Sequence, residues 1–237
     1  MENVQQLLVE GVVWYGVFLF STVLHEAAHA WAALRLGDPT AAAGGQVSVD
    51  PVPHLKREPM GTIGVPLITF FLSQGQWLMG WASAPYNFFW ALEHPKRAAL
   101  MALAGPLANL GLVLVTGGVL RWGLVAGFFT FPDPGEAWLT HLVASAPGAG
   151  LDAVAFFVSL TFSLNLILFL FNLLPVPPLD GSAVLPLFLK PSVARSYLVW
   201  TRNPGVAMLG LLAAWFSFRY VIFPVFGQVV RWLYQGV

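Results

Sequence analysis

Charged side chains are scarce in this sequence, and cysteine is absent. Only 9% of the 237 residues are Asp, Glu, Lys or Arg, whereas a soluble domain carries about 25%. There are too few charged side chains to cover a surface that faces water, so a soluble globular protein is excluded. The 11 basic residues balance the 11 acidic ones, so the chain lacks the basic stripe that binds nucleic acid. Zero cysteines exclude disulfides and thiolate metal ligands.

Hydrophobic residues make up 57% of the chain, and the mean hydropathy is +0.73. This composition predicts an all-α fold, a polytopic bundle of transmembrane helices that forms a single integral-membrane domain over residues 1–237. Residues 1–10 contain two Glu and no basic residue, so we expect the first apolar run to be retained rather than cleaved as a signal peptide. Four runs reach the length of about 20 residues that a membrane-spanning helix needs: 8–34, 98–120, 151–174 and 204–232.

A fifth apolar segment, 61–82, is ambiguous because Pro66 and a polar break at 73–76 interrupt it. We interpret it as re-entrant, which brings the bundle to between four and six membrane segments. Residues 45–50 alternate between apolar and polar side chains, a pattern typical of a strand. We therefore expect a short β element at the membrane edge there.

The basic residues predict the orientation of the bundle. Suppose that the first run ends in the cytoplasm and that 61–82 does not cross the membrane. Eight of the eleven Lys and Arg residues then lie on the cytoplasmic face, as the positive-inside rule favours. These eight are Arg35, Lys56, Arg57, Lys96, Arg97, Lys190, Arg195 and Arg202.

The first run contains the sequence His25-Glu26-Ala27-Ala28-His29. Residues four apart share one face of a helix, so both imidazoles point to the same place, with the Glu26 carboxylate beside them. This pattern offers two nitrogen ligands to Zn²⁺ and a carboxylate that takes a proton from water. Ionisable groups inside an apolar helix are costly and indicate function; the alternative is a polar cluster hydrogen-bonded between helices.

Two other metal sites fit this pattern poorly. Glu26 and His29 match the Glu-x-x-His element of di-iron bundles, but no second Glu-x-x-His occurs in the sequence. A haem held by two imidazoles needs histidines on facing helices, and His54, His94 and His141 all fall in predicted loops.

A catalytic zinc needs a third protein ligand, and Asp180 is the strongest acidic candidate. It lies just past the third long apolar run, within the sequence Asn172-Leu-Leu-Pro-Val-Pro-Pro-Leu-Asp180-Gly181. Three prolines break the helix there, and free backbone at membrane depth is tolerated only where it lines a cavity or is buried in protein. Taken alone, the Asp-Gly pair fits a surface turn equally well.

Together, the motifs at 25–29 and 172–181 resemble those of the site-2 protease family of intramembrane zinc metalloproteases. Gly45–Leu67 is similar to the family's segment after the first catalytic helix, and Ala104–Asn109 to its Ala-Gly-Pro-x-x-Asn helix. The resemblance covers about residues 15–190. Since the chain has no length for a PDZ or CBS domain, it looks like a minimal member.

This resemblance implies an intramembrane zinc endopeptidase that cuts transmembrane segments of membrane proteins. It implies one Zn²⁺ held by His25, His29 and Asp180, with Glu26 as the general acid and base and Asn172 near the substrate carbonyl. Three further residues, Gly45, Val47 and Asn109, are expected to contact or support the substrate.

The alternative is a catalytically silent metal-binding or transport protein on the same frame. Either protein lies in the lipid bilayer of a bacterial or archaeal cell, with its site nearer the cytoplasmic side. The enzyme's partner is a transmembrane substrate; no nucleic acid partner is expected, and the sequence does not predict an oligomeric state.

Overall fold

The computed structural model of the protein describes residues 2–133 and 139–236. The fold is 73% helical, as the composition predicted. Within these described residues the α-helices, in chain order, are α1 (Glu2–Leu36), α2 (Thr40–Ala43), α3 (Pro51–Arg57), α4 (Val65–Leu72), α5 (Phe88–Glu93), α6 (Pro95–Val125), α7 (Asp152–Asn172), α8 (Asp180–Val184), α9 (Pro191–Thr201) and α10 (Pro204–Tyr234).

Four of the described helices, α1, α6, α7 and α10, are long and apolar enough to span a membrane. They coincide with the four runs predicted from the sequence, which confirms a polytopic helical protein. Helices α1, α6 and α10 extend beyond their predicted runs at one end at least, whereas α7 begins one residue later and ends two residues earlier than its run. Helix ends commonly differ by such amounts from the apolar part of the sequence. Two prolines lie inside these helices, Pro106 in α6 and Pro224 in α10.

The ambiguous segment 61–82 folds back on itself. A π-helical turn over Met60–Gly64 leads into α4, and the chain reverses at Gln74 and Gly75, which both have positive φ. The returning residues, 77–86, form neither helix nor strand. The Trp81 amide donates a hydrogen bond to the Gly61 carbonyl over 3.0 Å. The segment therefore ends beside its own start, and its re-entrant course through the membrane stays a prediction.

The β element lies elsewhere than we predicted. Residues 45–50 form turns and bends rather than a strand. The Gln46 side chain in this loop is buried and donates a hydrogen bond to the Ser83 carbonyl, so the loop does not pair as a strand. In the described part of the chain, the β structure is a two-stranded antiparallel ladder of β1 (Phe129–Thr130) and β2 (Ala144–Ser145). A small β element is thus present, but it connects α6 to α7.

The chain forms two compact units. The first comprises residues 1–108 and 172–215, and the second comprises 109–171 and 216–237. In the first unit, small side chains let α1, α5 and α6 approach closely; its buried cluster is Ala32, Ala33, Trp90, Ala91, Ala98 and Met101.

The second unit has a larger apolar core around Leu120, Phe129 and Phe162. Near it, the Asn109 amide donates a hydrogen bond to the Asn165 side chain over 2.8 Å, and both residues are fully buried. A buried amide needs such a partner, because leaving it unpaired costs about 1–3 kcal/mol.

Candidate metal centre

Helix α1 carries three ionisable side chains that are buried. His25, Glu26 and His29 are only 6%, 7% and 7% exposed. The two histidine rings lie one helical turn apart, with 4.6 Å between their centroids. As the spacing predicted, both imidazoles point to the same place.

Asp180 lies beside the two histidines, although it belongs to the second sequence range of the first unit, residues 172–215. Helix α7 ends at Asn172, the proline-rich stretch follows, and Asp180 begins the short helix α8. Its Oδ2 lies 3.0 Å from His25 Nε2 and 3.3 Å from His29 Nε2. The two Nε2 atoms lie 3.0 Å apart. The prediction that these three side chains come together is therefore met by the fold.

These three spacings fit a tetrahedral zinc ion. Zn–N and Zn–O bonds of about 2.0–2.1 Å place neighbouring ligand atoms about 3.3 Å apart at the tetrahedral angle. The three donor atoms form a nearly equilateral triangle with edges close to that length. Two imidazoles and one carboxylate also leave a fourth position open, as catalytic zinc sites do.

The orientation of His29 is fixed by the backbone of α6. His29 Nδ1 donates its proton to the Met101 carbonyl over 2.8 Å. Since a neutral imidazole carries one proton, Nε2 is left with a free lone pair directed at His25 and Asp180. Such outer hydrogen bonds set the tautomer of metal-ligating histidines.

Gly105, also on α6, keeps the space between the donor atoms open. A Cβ built at this position would overlap His29 Nε2 and lie 2.5 Å from His25 Nε2. Any other residue here would therefore fill the place where the three donors converge. The buried cradle has room for an ion because residue 105 has no side chain.

The remaining predicted residues lie at different places. Asn172 is half-buried at the end of α7, eight residues before Asp180. Asn109 is fully buried and bonded to Asn165. Their roles in catalysis and substrate binding stay predictions.

Gly45 and Val47 belong to the loop over residues 44–50, which lies against α1. A groove of about 350 Å³ separates the loop from the helix. Its lining consists of Leu24, Ala27, Ala28 and Trp31 from α1 and Val47, Ser48 and Val49 from the loop. At about 100° per residue, these α1 side chains lie on a different side of the helix from the histidine rings.

His54 holds this loop in place. His54 is 1% exposed, and its Nε2 donates to the Ser48 carbonyl over 3.1 Å. Gln46 is 2% exposed and donates to the Ser83 carbonyl over 3.0 Å. The sequence does not mark these tethers, because His54 was expected in a loop, whereas the structure places it in α3.

Met101 and Gly105 contribute to the centre, and the sequence-based prediction named neither of them as a site residue. Met101 acts through its backbone carbonyl, so no side-chain signal marks it. Gly105 lay within a motif that resembled the family's, and the signal available was the pair Gly105-Pro106 inside an apolar helix. Pro106 has no N–H to donate to the Ala102 carbonyl of α6.

A known family and several known proteins resemble this chain over most of its length. The model of "Peptidase family M50" matches residues 14–211. "Putative zinc metalloprotease YwhC" of Bacillus subtilis is 33% identical over 211 residues, which cover 87% of this chain and 82% of the relative. "Putative zinc metalloprotease Rip2" of Mycobacterium tuberculosis is 32% identical over 241 residues, with 99% of this chain and 78% of the relative covered. No solved structure gives a significant match.

Proposed function

The chain belongs to peptidase family M50, and from this premise we propose that His25, His29 and Asp180 are the zinc ligands of its active site. The protein is an intramembrane zinc metalloprotease of the site-2 protease type. The observation that carries the ligand assignment is the triangle of donor atoms, with edges of 3.0, 3.0 and 3.3 Å. The comparisons give no support to a catalytically silent protein.

Glu26 acts as the general acid and base in this proposal. A zinc ion held by His25, His29 and Asp180 would supply a Lewis acid that polarises the scissile carbonyl and lowers the pKa of water to about 7. Glu26 takes a proton from that water and then donates it to the leaving amine. Glu26 is buried on the same helical turn as the two histidines, which supports this role. Away from bulk water, a carboxylate interacts more strongly with nearby positive charge.

Asn172 stabilises the carbonyl oxygen as negative charge develops on it. An amide N–H is a suitable donor for an oxyanion, and Asn172 begins the segment that ends in Asp180. The same segment thus supplies both a ligand and a polar group for the substrate.

The substrate is a transmembrane segment of another protein. Amides in a helix are hydrogen-bonded within the helix, so the segment unwinds before its carbonyl reaches the site. Val47, which is 36% exposed beside the α1 groove, and its neighbour Gly45 contact the unwound chain. Asn109 supports the site through α6, on which Gly105 also lies.

The protein spans the cell membrane several times, with residues 1–237 as one protease domain and the zinc centre nearer the cytoplasm. Helices α6 and α10 each contribute residues to both compact units, which supports a single domain. His25 and His29 lie six to ten residues before Arg35, or about 9–15 Å along a helix. The bacterial relatives support a bacterial membrane.

The test uses the full-length protein in lipid vesicles with a panel of single-span substrates. We expect wild type to hold about one zinc per chain and to cut at least one substrate. Glu26→Gln should keep the metal and lose at least 100-fold in cleavage rate, because general acid–base catalysis contributes about 10²–10⁴-fold. Glu93→Gln, at an exposed position on α5, is the matched control.

Asp180→Ala separates the ligand assignment from the choice of base. This variant should lose zinc as well as activity. Full activity in Glu26→Gln, or unchanged zinc affinity in Asp180→Ala, would contradict the proposed roles.

A further inference from the structure

The three proposed ligands differ in how firmly their own helices hold them. His25 and His29 lie in a helix of 35 residues, whereas Asp180 begins a helix of five residues after a proline-rich stretch. Ligand atoms must stay within a few tenths of an ångström of their place to bind zinc. The position of Asp180 therefore depends on contacts that other parts of the first unit make with its segment.

Tyr197 makes one such contact from α9. Its hydroxyl donates a hydrogen bond to the Ser182 carbonyl over 3.0 Å, two residues after Asp180. Ser182 is only 3% exposed, so its carbonyl has few alternative partners. Burial raises the pKa of Tyr197 above its usual range, so the hydroxyl keeps the proton that it donates.

Gly210 makes a second contact, from α10. A Cβ at this position would overlap the carbonyl of Pro177, three residues before Asp180. Both residues are buried. The backbone of α10 therefore lies directly against the segment, and a side chain at residue 210 would push that segment away.

Helix α9 and the residue that follows it contact α5, the helix that leads into α6. Arg195 Nε donates to the Leu92 carbonyl of α5 over 3.0 Å. The Arg202 guanidinium lies 4.2 Å from the centre of the Phe88 ring, a distance at which a cation and an aromatic face attract. Helix α5 leads directly into α6, which carries the carbonyl that binds His29, so α9 joins the two halves of the centre.

We propose that Tyr197 and Gly210 are positioning residues for Asp180, holding its segment from both sides so that Oδ2 meets the two imidazoles. This inference rests on the proposed function, because it concerns the third ligand of that site. Tyr197 acts on the residues after Asp180, and Gly210 acts on the residues before it. Neither residue touches the metal or the substrate.

The first experiment measures zinc affinity in the detergent-solubilised full-length protein by competition with a chromophoric chelator. Tyr197→Phe removes one hydroxyl, and we expect about fivefold weaker zinc binding, since a hydrogen bond contributes about 1 kcal/mol. The control is Tyr220→Phe, at a tyrosine that is 72% exposed on α10. It should bind zinc as wild type does.

A double-mutant cycle separates positioning from a general loss of structure. If Tyr197 acts through Asp180, then adding Tyr197→Phe to Asp180→Ala has no further effect on zinc affinity. An equal loss on both backgrounds, or no loss in Tyr197→Phe, overturns the inference. Unchanged affinity in Asp180→Ala would instead overturn the ligand assignment itself.

Gly210→Ala tests the second contact with Co²⁺ as a spectroscopic probe. We expect the visible spectrum of bound Co²⁺ to shift relative to wild type, because the carboxylate moves away from the imidazoles. Gly111→Ala on α6, where a Cβ meets no atom within 4 Å, should leave the spectrum unchanged. A wild-type spectrum in Gly210→Ala overturns the role of Gly210.

Discussion

Replacing Gly105 by Ala tests whether the metal lies where the three donor atoms converge. The added methyl carbon would overlap His29 Nε2 and lie 2.5 Å from His25 Nε2. An ion in the centre needs about 2.0–2.1 Å to each nitrogen, so the methyl group and the ion compete for the same space. We expect Gly105→Ala to lose at least 100-fold in zinc affinity.

The effect on stability can be worked out in the same way. Zinc at 100 times its dissociation constant stabilises wild type by about 2.7 kcal/mol. For a chain of this size, that corresponds to a rise in Tm of roughly 5–11 °C. Gly105→Ala should show almost none of this rise. Without zinc its Tm should be at or below that of wild type, because the methyl group displaces the buried His29 ring that the Met101 carbonyl holds. The test therefore compares the rise in Tm that zinc causes within each protein.

The assay is thermal unfolding with zinc and with a chelator, together with the zinc content of the purified protein. Gly118→Ala on the same helix is the control, because a Cβ there meets no atom within 4 Å. It should keep the full response to zinc. A Gly105→Ala protein that zinc stabilises as much as wild type would refute the placement of the metal between His25, His29 and Asp180.

Three further predictions concern the rest of the protein. Because the chain has no cysteine, a single cysteine introduced as Lys56→Cys or Ala149→Cys can be labelled with a membrane-impermeant maleimide. In intact cells we expect only the cysteine at residue 149 to react. Labelling at residue 56 instead would contradict the proposed orientation. Asp38→Asn should lower stability by about 1–3 kcal/mol in thermal unfolding without changing zinc affinity, because the buried carboxylate accepts backbone hydrogen bonds on both oxygens. His54→Ala should speed hydrogen exchange at residues 46–49 about fivefold by mass spectrometry, since one tether of about 1 kcal/mol is lost; unchanged exchange would show that the Gln46 contacts hold the loop alone.

Much of the architecture follows from the sequence because lipid leaves a chain few choices. A backbone in hydrocarbon must satisfy its own hydrogen bonds, so an apolar run of sufficient length becomes a helix. The four spans were predictable for this reason. The return of segment 61–82 was predictable as well, since Pro66 and the polar break at 73–76 are local signals.

The loop over 44–50 and the β ladder were not predictable in the same way. The alternation at 45–50 indicated a strand, but the fold satisfies Gln46 through Ser83 and holds Ser48 through His54. Ser83 lies 37 residues after Gln46, and the contact to Ser48 comes from a histidine that is buried only in the folded protein. A pattern that is only six residues long does not outweigh such tertiary contacts.

By itself, the sequence determined that two imidazoles and a carboxylate lie on one buried face, because helical periodicity alone brings residues 25, 26 and 29 together. It also marked Asp180 through the resemblance of its motif. Only the tertiary structure decided the distances between the donor atoms, the tautomer of His29 and the open space at Gly105. Those depend on how α6 and the segment before α9 pack against α1, and such packing is set by contacts between residues that are remote in sequence.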